Sequence, residues 1–206
     1  NTVVIGDTAL ALAPRVLPSR SVHKKVGINF GLSDGNKIWG SPNKYFNEMV
    51  DFIHVLVDMG FHVVLLPIWK DDIQSNIELL EKVSSAKCYL VSDAYNSLDT
   101  YANEVADCQY FIGQKLHATI IATSHRVPSI MIEYRPKCMD YMESIKMGEY
   151  TIKTSDFTSR GVGLIFERLV DEQEKVRERL DREVLRYSDL QHKYASEIIG
   201  KLLYFE

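Results

Sequence analysis

The sequence predicts an α/β protein: a Rossmann-like three-layer sandwich around a parallel sheet, ending in long C-terminal helices. Three observations carry this expectation. Short β-branched and aromatic runs alternate with helical periodicity from Val26 to about Met147. The apolar runs, such as Val63-Val64-Leu65-Leu66, are dense rather than alternating, as strands buried on both faces require. From about Phe157 glycine and proline become scarce and charge rises, which reads as helix.

In order, Val26 to Phe30 reads as a strand, followed by a glycine-rich loop from Gly31 to Gly40. Ser41-Pro42 starts a helix, with serine at the N-cap and proline in the first turn. Phe46, Met49, Val50, Ile53, Leu56 and Val57 then recur at helical spacing until Gly60. Phe61 to Ile68 is the next strand, and Asp71 or Asp72 is read as the cap of a helix that turns Ile73, Ile77, Leu80 and Val83 inward. Strands at Cys88–Val91, Tyr110–Ile112 and Ser129–Ile132 alternate with helices at Leu98–Ala106, Leu116–Ser124 and Pro136–Met147. We therefore expect a Rossmann-like domain over residues 1–156 and a helical extension over 157–206 that packs on it. Leu169, Val176, Leu180, Val184, Tyr187, Tyr194 and Ile198 form the extension's apolar stripe. A coiled-coil homo-oligomer would use the same stripe, but it spans few clean heptads, so packing on the body is favoured.

Composition bounds the function. The 206 residues are 46% hydrophobic and 25% charged, the balance of an ordinary soluble globular chain, which excludes disordered and collagen-like classes. No apolar run approaches the roughly 20 residues that cross a bilayer. A net charge of −4 argues against a bulk nucleic-acid binder. Cys88, Cys108 and Cys138 are odd in number and widely spaced, which indicates reduced buried thiols in a cytoplasmic protein rather than disulfides or a metal site. The chain opens on Asn1 and runs straight into Val3-Val4-Ile5, as expected of a fragment of something longer.

Ligands of open parallel sheets bind beyond the carboxyl ends of the strands. The loop holding Lys37 matches no phosphate-binding fingerprint, and Ser92 to Asn96 has no distinctive spacing. The informative loop is Gly113-Gln114-Lys115, where a helix starts directly after the strand. A helix start is an anion site by geometry, and Lys115 adds a full charge to it. His117 lies in the first turn, where the positive helix end favours a neutral, proton-exchanging imidazole. Taken singly, a histidine there more often makes a structural hydrogen bond. The next strand ends in Glu133-Tyr134-Arg135-Pro136-Lys137, so a second helix start joins the same crevice. Glu133 can accept from sugar hydroxyls or hold a proton, and Tyr134 can stack on a sugar or base. His54 and His62, on an apolar helix and a buried strand, read as core residues.

Residues Lys115-Leu116-His117-Ala118, Arg126 to Ile132, Tyr134 and Lys137 resemble the polysaccharide pyruvyl transferase family. Gly6 to Leu10, Val26-Gly27-Ile28 and Leu65-Leu66-Pro67 are similar to its upstream pattern. The resemblance implies one half of a GT-B-like architecture, with the active site facing a missing N-terminal domain. It implies transfer of pyruvate from phosphoenolpyruvate, as co-substrate and without a cofactor, to a glycan or lipid-linked sugar acceptor. The expected location is the cytoplasm, with the inner face of the membrane as an alternative within it. His117 would move the proton, and Lys115, Lys37 and Lys137 would hold the anions. The family usually has Arg where Lys115 stands, and often another after the first strand, where this chain reads Asn29-Phe30-Gly31; Lys37 is the loop's candidate replacement. The alternatives are a GT-B glycosyltransferase using a nucleotide sugar, and a non-catalytic interaction module derived from that fold.

Overall fold

The computed structural model describes residues 4–17, 24–32 and 38–203. Six parallel strands form one sheet: β1 (Lys25–Asn29), β2 (His62–Leu65), β3 (Cys88–Leu90), β4 (Tyr110–Gly113), β5 (Ser129–Glu133) and β6 (Thr151–Lys153). Their order is β3-β2-β1-β4-β5-β6. The register sets Val26 beside Val63 on one side and Tyr110 on the other, and Glu133 beside Lys153. The chain reverses its direction of travel across the sheet between β1 and β4. There the connections leave to opposite faces and open a crevice at the carboxyl edge.

Helices α1 (Pro42–Asp58), α2 (Ile73–Val83) and α6 (Ser159–Asp171) pack together, while α3 (Leu98–Ala106) packs on α4 (Leu116–Ser124). Next to α4, α5 (Pro136–Ser144) is tied through the Tyr141 and Thr123 hydroxyls, 2.5 Å apart. Right-handed crossovers place the two groups on opposite faces. Three helices start as serine or threonine caps dictate: Ser41, Ser97 and Thr158 accept from Lys44, Thr100 and Gly161 amides. The larger core holds Phe30, Tyr45, Phe52, Phe157 and Phe166 in edge-to-face and tilted contacts.

The last helix, α7 (Gln173–Leu203), is 31 residues long and buries Val176, Leu180, Val184 and Tyr187 on the body. Its later turns hold the N-terminal segment: Gln191 Nε2 donates to the Ile5 and Asp7 carbonyls, both at 2.7 Å. Arg126, buried and left-handed at φ 54°, donates to the carbonyls of Pro14 and Ser124 and pairs with Asp181. This one side chain joins the N-terminal segment, the end of α4 and α7. Among the described residues no helix is long and apolar enough to cross a membrane.

Several expectations need correction. Tyr194 is only half-buried and Ile198 is 59% exposed, so the packed stripe ends near Tyr187. His54 and His62 are exposed, not core. His54 lies on the solvent side of α1, opposite the buried Phe52, Ile53 and Leu56, and His62 opens β2 at the sheet's amino edge. The three-residue edge strand β6 was not foreseen, and α5 stops at Ser144 because Lys146 turns left-handed at φ 58°. Cys88, Cys108 and Cys138 are buried thiols, as expected.

Candidate functional site at the carboxyl edge of the sheet

The floor of the crevice is built by amides. Asn29, the last residue of β1, is wholly buried. Its Nδ2 donates to the Leu66 carbonyl at 2.9 Å, and its Oδ1 accepts from the Lys115 amide at 2.9 Å. The side chain therefore bridges the ends of β2 and β4 across β1. Gln114 does the same for the loops: its Oε1 accepts from the Gly31 amide at 2.9 Å and the Tyr45 hydroxyl at 3.4 Å. Its Nε2 is buried and has no hydrogen-bond partner among the described residues. Gly113 lets the first turn of α4 close on β4, because a Cβ there would meet Thr119 Oγ1 at 2.1 Å.

Asp72 does not cap α2, contrary to the sequence expectation. It stands at the N-cap position in helical geometry and makes no side-chain cap. Its carboxylate turns inward instead, with Oδ2 3.4 Å from Lys115 Nζ. Lys115 Nζ also lies 3.8 Å from the centre of the Trp69 ring. Both charges are buried, the lysine side chain 4% exposed and the aspartate not at all. Burial lowers the Lys115 pKa, an effect that Asp72 opposes and the like charge of Lys137 reinforces. A Cβ on Gly31 would come 2.2 Å from Asp72 Oδ1, so the carboxylate has its place only because residue 31 is glycine.

The predicted residues fall into three places. Lys115 is in the floor, as described. His117, in the first turn of α4, is exposed and lines a cavity of about 530 Å³ between α3, α4 and the N-terminal segment, together with Ile68, Leu98 and Asp99. The third place is the end of β5. Glu133 is 3% exposed, its Oε2 has no hydrogen-bond partner among the described residues, and burial raises its pKa. Tyr134 is buried beneath Lys137, whose ammonium sits 5.6 Å from the ring centre and whose side chain is exposed. Lys37 lies outside the described residues.

Both helices that start here break the ordinary rules. Lys115 and Arg135 occupy the N-cap positions of α4 and α5, and neither side chain caps its helix. A cation at the positive end of a helix dipole is locally unfavourable. Lys115, Arg135 and Lys137 place three such charges on adjacent helix starts, an arrangement that an anionic ligand would relieve. Sequence reasoning found these cations but missed Asp72, Trp69 and Asn29 as their setting.

Comparison with known proteins places the chain in a family and a fold. A sequence model of the polysaccharide pyruvyl transferase family matches residues 1–136. The amylovoran biosynthesis protein AmsJ of Erwinia amylovora is 23% identical over 158 residues, 73% of this chain and 38% of AmsJ. The chain thus spans well under half the length of that relative. Among solved structures, the E. coli heptosyltransferase WaaC with ADP superposes with a TM-score of 0.53 at 16% identity, covering 74% of this chain and 46% of WaaC. The C-terminal CMP-Kdo binding domain of WaaA from Acinetobacter baumannii gives 0.53 at 11% identity, covering 80% of this chain and 89% of that domain. An O-GlcNAc transferase from Thermobaculum terrenum gives 0.54 at 13% identity, covering 92% of this chain and 38% of that one. These likenesses establish a GT-B-like fold, and the family match, which takes in β1 to β5 and the start of α5, establishes that the chain belongs to the polysaccharide pyruvyl transferase family.

Proposed function

We propose that this chain forms the donor side of a transferase that moves pyruvate from phosphoenolpyruvate to a sugar of an exopolysaccharide precursor. The observation that carries the reading is the pair of adjacent helix starts, α4 and α5, each headed by a cation and neither capped by a side chain. They suit a compact donor bearing a phosphate and a carboxylate. The match to AmsJ, an amylovoran biosynthesis protein, supports a polysaccharide precursor as acceptor. A second Rossmann-like domain would supply the acceptor contacts.

In this reading His117 gives a proton to the donor's methylene carbon, which becomes a methyl group. The adjacent carbon gains oxocarbenium character. Two sugar hydroxyls add to it, the carbon–oxygen bond to phosphate breaks, and a ketal results. The hydroxyls release two protons: one restores His117 and the other leaves with the phosphate. The Lys137 ammonium and the helix starts stabilise the departing charge, and Glu133 or Tyr134 contacts the sugar.

The rival donor is a nucleotide sugar, since WaaC is solved with ADP and the WaaA domain binds CMP-Kdo. Phosphorus NMR of the intact protein separates the two. The expected result is a shifted phosphoenolpyruvate resonance at concentrations where uridine diphosphate is unaffected. Binding of the diphosphate without binding of phosphoenolpyruvate would favour the nucleotide-sugar reading.

A further inference from the structure

The cation nearest the start of α4 already faces a carboxylate. Lys115 is held by Asp72 at 3.4 Å and by the face of Trp69 at 3.8 Å. The carboxylate is anchored through its own backbone: the Asp72 carbonyl accepts from Ser75 Oγ at 2.9 Å and from Asn76 Nδ2 at 2.7 Å, and Asn76 Nδ2 also donates to the Phe30 carbonyl. The Lys115 backbone is equally fixed, by the hydrogen bond its amide N–H donates to Asn29 Oδ1. What can move between these anchors is the lysine's four-carbon stem. Its ammonium is shared between two demands: the buried carboxylate beneath it and any anion seated at the helix start where its own residue is the N-cap.

We propose that Asp72 is an internal competitor for the donor anion. Its carboxylate holds the Lys115 ammonium in the unliganded protein, and an anion at the starts of α4 and α5 draws that ammonium away. Asp72 thereby sets how strongly the site takes a negatively charged donor. The inference rests on the anionic-donor reading above, and it gives Asp72 a positioning role in which it acts only through Lys115. Lysine suits such a device better than arginine, because a point charge on a flexible stem can turn between partners while a planar guanidinium is fixed by its fork.

The test is a binding cycle in the intact protein, titrated with inorganic phosphate and with phosphoenolpyruvate. Asp72→Asn keeps the side chain's shape and the hydrogen bonds to its backbone carbonyl. It should tighten binding of both anions by about tenfold. Lys115→Met should weaken binding, and adding Asp72→Asn to it should restore nothing. Trp69 is 49% exposed, so Trp69→Leu serves if Asp72→Asn does not fold. Removing that ring contact should tighten anion binding about two- to fivefold. Unchanged or weaker binding by Asp72→Asn or by Trp69→Leu overturns the proposal, as does a gain that survives without Lys115. If phosphoenolpyruvate binds no better than phosphate throughout, the pyruvyl-donor reading fails while phosphate still judges Asp72. If no protein in the set binds either anion, the competition itself is refuted.

Discussion

Glu133 ends β5 with a carboxylate that water barely reaches. Burial raises its pKa, Asp140 and Asp156 add to the rise, and the Lys153 ammonium across the sheet opposes it. In the unfolded chain the group ionises at the ordinary carboxylate pKa; in the folded protein it does so only at higher pH. Stability is therefore lost as pH rises from the unfolded value to the folded one, and the deficit persists at neutral pH. Glu133→Gln should accordingly raise the midpoint of urea denaturation at pH 7, and the gain should shrink to nothing as pH falls below the ordinary carboxylate range. A loss of stability at both pH values would mean that the carboxylate has a structural partner in the fold. Residues that are costly where they stand are common in functional sites, which is the reason to keep Glu133 among the candidate sugar contacts.

Helix α7 is placed by polar pairing as well as by its apolar stripe. Glu183, 1% exposed, meets Lys146 at 2.9 Å, Arg186 at 3.0 Å and Arg182 at 3.4 Å. Burial alone would raise its pKa, but these cations overcome it and hold the carboxyl below its usual range. The sign is opposite to that of Glu133: the contribution is present at neutral pH and is lost as pH falls through the folded pKa. Glu183→Gln should cost about 2 kcal/mol at pH 7, a fall of roughly 4–8 °C in melting temperature at this chain length. The two proteins should converge toward pH 3; a difference that persists there would assign the cost to packing. Elements also show what the sequence could disclose. The long helices, β1, β2 and β4 were legible because their apolar residues repeat at the strand or helix period. The edge strand β6 was not, because Thr151-Ile152-Lys153 is too short to show any period. The exposure of His54 and His62 was missed because both lie within apolar runs, where one residue's facing depends on packing rather than on its neighbours.

For the whole molecule, the crevice follows from topology: the order β3-β2-β1-β4-β5-β6 places the ends of β1 and β4 side by side, and the next two helices start beside them. Lys115, His117, Glu133, Tyr134 and Lys137 could be named from sequence because each lies at the end of a strand or within a few residues beyond it. The link from Lys115 to Asp72 could not, since it joins residues 43 positions apart and the local chemistry of Asp72 reads as a helix cap. The central claim is that the donor is phosphoenolpyruvate and that His117 moves its proton. The most direct measurement is phosphate release by the intact protein, with and without a polysaccharide-precursor acceptor, for the parent and for His117→Ala. The account predicts acceptor-dependent phosphate release from phosphoenolpyruvate in the parent, and its loss in His117→Ala with donor binding retained. Phosphoenolpyruvate left intact while a nucleotide sugar is consumed, or full phosphate release without His117, would contradict it.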